Sequence, residues 1–135
     1  MHAIAPLQRA KARNSLRVSK GPVMSRQAIH QLRTAKLVAS RTVFARLLKV
    51  SENTVFRWEA GKAKPDRRVG EILVHLNQVC DVLLPSMEPA AVANWLERPN
   101  PAVDNFRPTD LLESEYGRLR LKALIEETGL VVHTI

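Results

Sequence analysis

Three features of the 135-residue sequence predict an all-α fold. Apolar residues recur at three- and four-residue spacing in successive segments, the period of a helix with one buried face. A serine or aspartate stands before most of these segments and a glycine or proline after them, as helix caps and stops do. Before residue 130 there is no alternating β-branched run of the kind that predicts a strand. The expected architecture is an N-terminal helix-turn-helix module followed by a small C-terminal helical module.

The elements follow in order. Residues 1–24 carry Arg9, Lys11, Arg13, Arg17 and Lys20, no acid and little periodicity. They read as a basic flexible arm that either follows phosphates or is a frayed terminus without a role. Ser25 caps a first helix with the stripe Ala28, Ile29, Leu32 and Ala35. Ser40 caps a second over Arg41–Leu48, its stripe being Val43, Phe44, Leu47 and Leu48. A third begins after Ser51 and ends before Gly61, the usual terminator. Pro65 and Asp66 open a fourth, whose stripe is Val69, Ile72, Leu73, Leu76, Val79, Cys80 and Leu83, and Pro85 ends it. A helix over 86–97, a Pro99-Asn100-Pro101 turn, a short segment at 108–112 and a last helix over 115–128 complete the chain. Ser114 caps the last helix and Gly129 stops it. The final residues, 130–135, are apolar and β-branched. The expected organisation is an arm at 1–24, a helix-turn-helix module at 25–67, a linking and dimerisation helix at 68–85 and a C-terminal module at 86–135.

Charge divides the chain. The net charge is +8, yet residues 1–67 hold fifteen Lys/Arg against three Asp/Glu, whereas 68–135 hold six against ten. A polyanion is therefore drawn to the first half alone. Cys80 is the single cysteine, which excludes an internal disulfide framework and suits a reducing compartment. No apolar run approaches the ~18 residues of a membrane span, and no secretion signal is visible, so a cytoplasmic protein with no membrane partner is expected. Catalysis finds little support. His2, His30, His75 and His133 are scattered without metal-ligand spacing. Gly61-Lys62 lacks a phosphate-cradling loop, and the Glu113/Glu115 and Glu126/Glu127 pairs resemble ordinary solvated helix faces. We expect no enzyme, no cofactor and no metal.

The span 41–58 reads RTVFARLLKVSENTVFRW. Ala45 is small where two helices would approach most closely, Val50 points inward from the turn, and Ser51 caps the second helix. Val55 and Trp58 bury one face of it, leaving Glu52, Asn53, Phe56, Arg57 and Ala60 for a groove. This span, especially VSENTVFRWEAGKAKP, resembles the Xre/Cro-like helix-turn-helix family. The family usually has glycine where Lys49 stands, and a left-handed lysine costs on the order of 1–2 kcal/mol. Double-stranded operator DNA is the partner so implied. Asn53 and Arg57 would read adenine and guanine edges. Arg41, Ser51, Thr54, Lys62 and Lys64 would contact phosphates and set register. Without a DNA role, the same pattern is a plain helical hairpin.

Residues 92–128 resemble the toxin-binding domain of the Xre/MbcA/ParS antitoxin family. The matching features are Trp95-Leu96 before Pro99, Asn100 and Pro101, then Pro108 with Leu111 and Leu112, then a closing helix begun by Glu115 and Gly117. The sequence departs from many relatives at Asp104-Asn105-Phe106, where glycines are common, although Asn105 tolerates a left-handed turn. The resemblance implies a type II antitoxin that neutralises a RES-domain toxin, which consumes NAD or transfers its ADP-ribosyl group. It also implies a homodimer or higher oligomer that represses its own operon. Toxin-binding surface is then expected at the Pro99, Asn100 and Pro101 turn and at the tail of Gly129, Leu130, Val131 and Val132. Trp95, Leu96, Leu111, Leu112 and Tyr116 are expected mostly in the core. Two alternatives stay open: a solitary Xre-type repressor whose acidic half only dimerises, and an interaction adaptor with a vestigial helix-turn-helix.

Overall fold

The computed structural model describes residues 23–127. The arm up to residue 22, Gly129 and the apolar tail lie outside the described residues. Helix α1 (Arg26–Gln31) starts at Ser25, whose hydroxyl accepts a hydrogen bond from the Ala28 amide at 3.1 Å. It continues as one π turn, Leu32–Lys36, closed by the Leu37 amide on the Leu32 carbonyl at 3.0 Å. A π turn holds an extra residue, so the helical phase shifts. Ala35, expected on the buried stripe, is exposed for this reason, and Leu37 takes the core position at 1% exposure.

Helices α2 (Arg41–Leu48) and α3 (Glu52–Glu59) begin at Ser40 and Ser51, each accepting from the amide three residues on. Both end in the same way. After α2 the Val50 amide reaches the Ala45 carbonyl and the Lys49 amide the Arg46 carbonyl, at 3.0 and 3.2 Å. After α3 the Lys62 and Gly61 amides reach the Arg57 and Trp58 carbonyls, at 2.8 and 3.1 Å. These are Schellman closures, which need a left-handed residue. Gly61 supplies it with φ 76°, and Lys49 with φ 59° despite its side chain. The left-handed turn anticipated at Lys49 is thus retained. Phe44, Ala45, Leu47, Leu48, Val55 and Trp58 are buried between the helices, while Val50 packs half-buried in the turn.

Helix α4 (Arg67–Leu83) is capped by the Asp66 carboxylate on the Val69 amide at 2.9 Å. Its predicted stripe is buried except for Val79, which is half-buried, and Val74 joins it. Helix α5 (Pro89–Glu97) starts three residues later than the sequence suggested. Proline restricts the residue before it to extended backbone, and Glu88 sits at φ −70°, ψ 154°. Pro89 itself suits the first helical position, where no amide is needed. Two 3-10 turns, Pro101–Val103 and Pro108–Glu113, lead to helix α6 (Glu115–Glu127), where the Ser114 hydroxyl accepts from the Gly117 amide at 2.9 Å.

The all-α class is borne out. One hydrophobic core runs from Ile29 and Phe44 through Leu73 to Leu96, Leu112 and Leu121, so basic and acidic halves share their interior. Each fully buried leucine of this core contributes about 1.5–3 kcal/mol relative to exposure. No helix among the described residues is long and apolar enough to cross a membrane.

Candidate nucleic-acid and partner interfaces

With Val55 and Trp58 turned inward, α3 presents Glu52, Asn53, Phe56, Arg57 and Ala60 to solvent, as its sequence suggested. Asn53 and Arg57 stand one turn apart on this face. The Arg57 guanidinium leans toward the Lys62 carbonyl, with Nη2 3.4 Å away, a weak contact that leaves it donors for a base edge. Ser51 is occupied as the cap, and its Oγ lies 2.8 Å from Thr54 Oγ1. Lys62 and Lys64 are exposed in the loop beyond Gly61. Six of the seven expected DNA-contacting residues therefore lie on α3, its cap or the loop leaving it.

Arg41, the seventh, comes from the start of α2. Its Nε donates to Glu59 Oε1 at 2.9 Å, and its guanidinium carbon lies 5.4 Å from the centroid of the Phe56 ring. Such a stack favours the cation and fixes it beside α3. Glu59 is the hub beneath it. Arg33 donates to Glu59 through Nε at 2.6 Å and Nη2 at 3.1 Å, and His30 Nδ1 lies 3.5 Å away. Burial pushes the Glu59 carboxyl up, but the hydrogen bonds and charges of Arg33 and Arg41 outweigh burial and hold it below the usual glutamate value. Glu59 thereby ties α1, α2 and α3 together through one carboxylate. Its place in the Arg-Trp-Glu string was the only sequence signal for it.

A second cluster joins the halves, and sequence reasoning missed it. Lys49 Nζ lies 2.8 Å from Asp110 Oδ1 and 2.5 Å from Glu113 Oε2. Arg107 grips Asp110 through Nε and Nη2 at 3.1 and 2.9 Å. Burial raises the Asp110 carboxyl, yet Arg107 and Lys49 together bring it down to about 2. Alongside, Arg46 makes a two-pronged bond to Glu97 at 2.6 and 2.9 Å. The buried Thr109 hydroxyl donates to the Leu47 carbonyl at 2.8 Å. That bond satisfies one of the last carbonyls of α2, which the helix itself leaves open. Glu113 is exposed, as expected of a solvated face, and is ion-paired as well.

In the acidic half, Pro99 and Pro101 are exposed on either side of Asn100. Asn100 holds the turn: its amide donates to the Phe106 carbonyl at 3.0 Å, and its side-chain oxygen accepts from the Ala102 amide at 3.0 Å. Asp104 and Asn105 both adopt positive φ, 59° and 63°, so two non-glycine residues close the loop. Leu96, Leu111 and Leu112 are core, whereas Tyr116 is 72% exposed and is not. Its first-turn position on α6 faces away from the 3-10 turns that cover the neighbouring Gly117. The expected partner residues Gly129, Leu130, Val131 and Val132 lie outside the described residues. Cys80 is buried, and burial pushes its thiol up to about 12, which makes it unreactive in the folded chain. Among the described residues, no group of three or more His, Cys, Asp or Glu is placed to hold a metal ion.

The architecture is that of a small all-α chain in which a basic pair of helices is locked to an acidic helical module. No family model matches the chain. Over 71 residues it is 32% identical to the "probable mycobacterial cidal antitoxin Rv3188" of Mycobacterium tuberculosis, a match covering 53% of this chain. The chain spans 60% of the length of that relative. In fold it is similar to a chain from the crystal structure of the M. tuberculosis MbcT–MbcA toxin–antitoxin complex. The TM-score is 0.56 at 24% identity, with 76% of this chain and 89% of the other covered. The resemblance to antitoxins read from the sequence is borne out by the relative named as an antitoxin, and the solved structure supports the fold.

Proposed function

We propose that the chain is the antitoxin of a type II toxin–antitoxin pair. Its C-terminal module binds and neutralises a RES-domain toxin that consumes NAD, and its helix-turn-helix represses the operon encoding both. The observation that carries the antitoxin reading is the 32% identity to a protein named as an antitoxin, joined to a fold similar to one found in a toxin–antitoxin complex. The repressor part is supported by the exposed Asn53 and Arg57 on α3, flanked by Lys62 and Lys64 in the half that carries the positive charge. Asn53 and Arg57 read bases, while Arg41, Ser51, Thr54, Lys62 and Lys64 contact phosphates.

A homodimer provides two recognition helices for two half-sites about 34 Å apart. The toxin meets the Pro99–Asn100–Pro101 turn and the tail residues Gly129, Leu130, Val131 and Val132. The test is co-expression with the protein encoded by the adjacent reading frame. The reading requires that the two co-purify, that growth is rescued, and that the chain retards DNA from its own promoter. DNA retention without any co-purifying toxin would favour a solitary repressor, the second reading, which the exposed face of α3 supports equally well.

A further inference from the structure

We propose that the groove between α4 and α6 is the contact through which two copies of this chain pair about a two-fold axis. The proposal rests on the homodimer reading above and names its surface. The groove has a volume of about 510 Å³, with His75, Val79 and Val82 of α4 on one wall and Leu119, Leu121 and Ile125 of α6 on the other. Val79 and Val82 are only half covered, although both sit on a helix whose other face is core. Beside the groove stands a ridge. Leu119, 61% exposed, and Tyr116, 72% exposed, lie one helical turn apart on α6. A ridge next to a groove of the same chain is self-complementary under two-fold symmetry, because each copy inserts its ridge into the other's groove.

Charge supports a second copy as the occupant. Several carboxylates of the acidic half are used internally: Glu97 pairs with Arg46, Asp104 with Arg120, Asp110 with Arg107 and Lys49, and Glu113 with Lys49 and Arg68. Glu115, Lys122 and Glu126 are exposed on the rim of the groove, and none is ion-paired with another described residue. In an antiparallel crossing of two α6 helices centred between Arg118 and Leu119, Glu115 of each copy comes opposite Lys122 of the other. Two symmetric ion pairs then bracket the apolar contact.

The experiment measures the mass of the full chain by light scattering and sedimentation equilibrium at micromolar concentrations. The natural chain is expected as a dimer and Leu119→Arg as a monomer. Both should give the same far-UV circular dichroism, because the Leu119 side chain is largely in water. Glu115→Lys and Lys122→Glu should each weaken pairing by about tenfold, and the double variant should restore it. A monomeric natural chain sinks the homodimer reading itself. A dimeric Leu119→Arg chain, or a double charge reversal that fails to restore pairing, overturns this surface alone. Loss of toxin capture in Leu119→Arg with the dimer intact would assign the groove to the toxin instead, and also overturns the proposal.

Discussion

Lys49 and Asp110 meet at 2.8 Å across the junction of the two halves, and the lysine reaches there from a left-handed turn that glycine would occupy without strain. Strain and attraction act on one residue. A left-handed lysine costs on the order of 1–2 kcal/mol, whereas its ammonium serves two carboxylates of the acidic half. Lys49→Gly should therefore be nearly neutral in the natural sequence. Once Asp110→Asn and Glu113→Gln have removed the partners, the same substitution should stabilise by about 1 kcal/mol. Urea titration of the four chains checks this. An identical effect of Lys49→Gly in both backgrounds would mean that the ion pairs contribute nothing.

The same cluster fixes a pH dependence. The Asp110 carboxyl is lowered from the ordinary 3.8 to about 2 in the folded chain. A group lowered by folding stabilises fully above its unfolded value and loses that contribution as pH falls through the folded one. Asp110→Asn should cost about 1–2 kcal/mol at pH 7, screening by solvent at the half-exposed Lys49 having reduced it. The difference from the natural chain should shrink between about pH 4 and pH 2. Thermal melts across that range provide the measurement, and a gap that stays constant would exclude Asp110 ionisation as its source.

What the sequence disclosed and what it hid have separate physical causes. The caps at Ser25, Ser40, Ser51 and Asp66 act within three residues, so they were legible, as was the buried pair Val55 and Trp58 on α3. The left-handed Lys49 was legible because the family pattern marks that position with glycine. Its partners were not: Glu113 is 64 residues away, and the Thr109 that closes α2 on the Leu47 carbonyl is 62 away. No local pattern encodes such contacts. The π turn was hidden for a different reason. Nothing in Leu32–Lys36 distinguishes it from a continuing α-helix, so Ala35 was given the place that Leu37 occupies. Tyr116 was misplaced because an aromatic residue in a half-buried helix is usually core, and here it forms part of an exposed ridge.

Two glycines on helices should respond oppositely to alanine. A Cβ on Gly117 would stand 2.4 Å from the Leu111 carbonyl oxygen, which is backbone and cannot swing aside. The start of α6 would have to lift from the Pro108–Glu113 turn, and Gly117→Ala should destabilise by about 2–4 kcal/mol. A Cβ on Gly70 meets nothing within 4 Å. There alanine adds helix propensity alone, and Gly70→Ala should stabilise by about 0.5–1 kcal/mol. A melting temperature that does not fall for Gly117→Ala would contradict the packing of α6 on that turn.

If α3 enters a major groove, its side chains and those of the following loop should fail differently. Arg57→Ala should cost about 1–3 kcal/mol on the operator and relax preference at one base position, since a guanidinium reads guanine in two-pronged fashion. Lys62→Ala or Lys64→Ala should weaken operator and random DNA alike and flatten the salt dependence of both. Binding titrations at several salt concentrations separate the two behaviours. Unchanged operator affinity for Arg57→Ala would remove the exposed face of α3 as the reading surface.

Residues 130–135 carry the part of the proposed mechanism that most needs a direct test. Leu130, Val131 and Val132 are apolar and adjacent in sequence, so burying them in a partner's cleft would gain about 25 cal/mol per Å² removed from water. In the proposed complex they occupy space that the toxin needs for its dinucleotide. None of the expected DNA contacts, from Arg41 to Lys64, lies near them in sequence. A chain ending at Thr128 should therefore still retard promoter DNA with unchanged salt dependence, yet fail to restore growth when its toxin is expressed. Growth rescued to the full level by the shortened chain would remove the tail from neutralisation and shift that role to the exposed prolines Pro99 and Pro101.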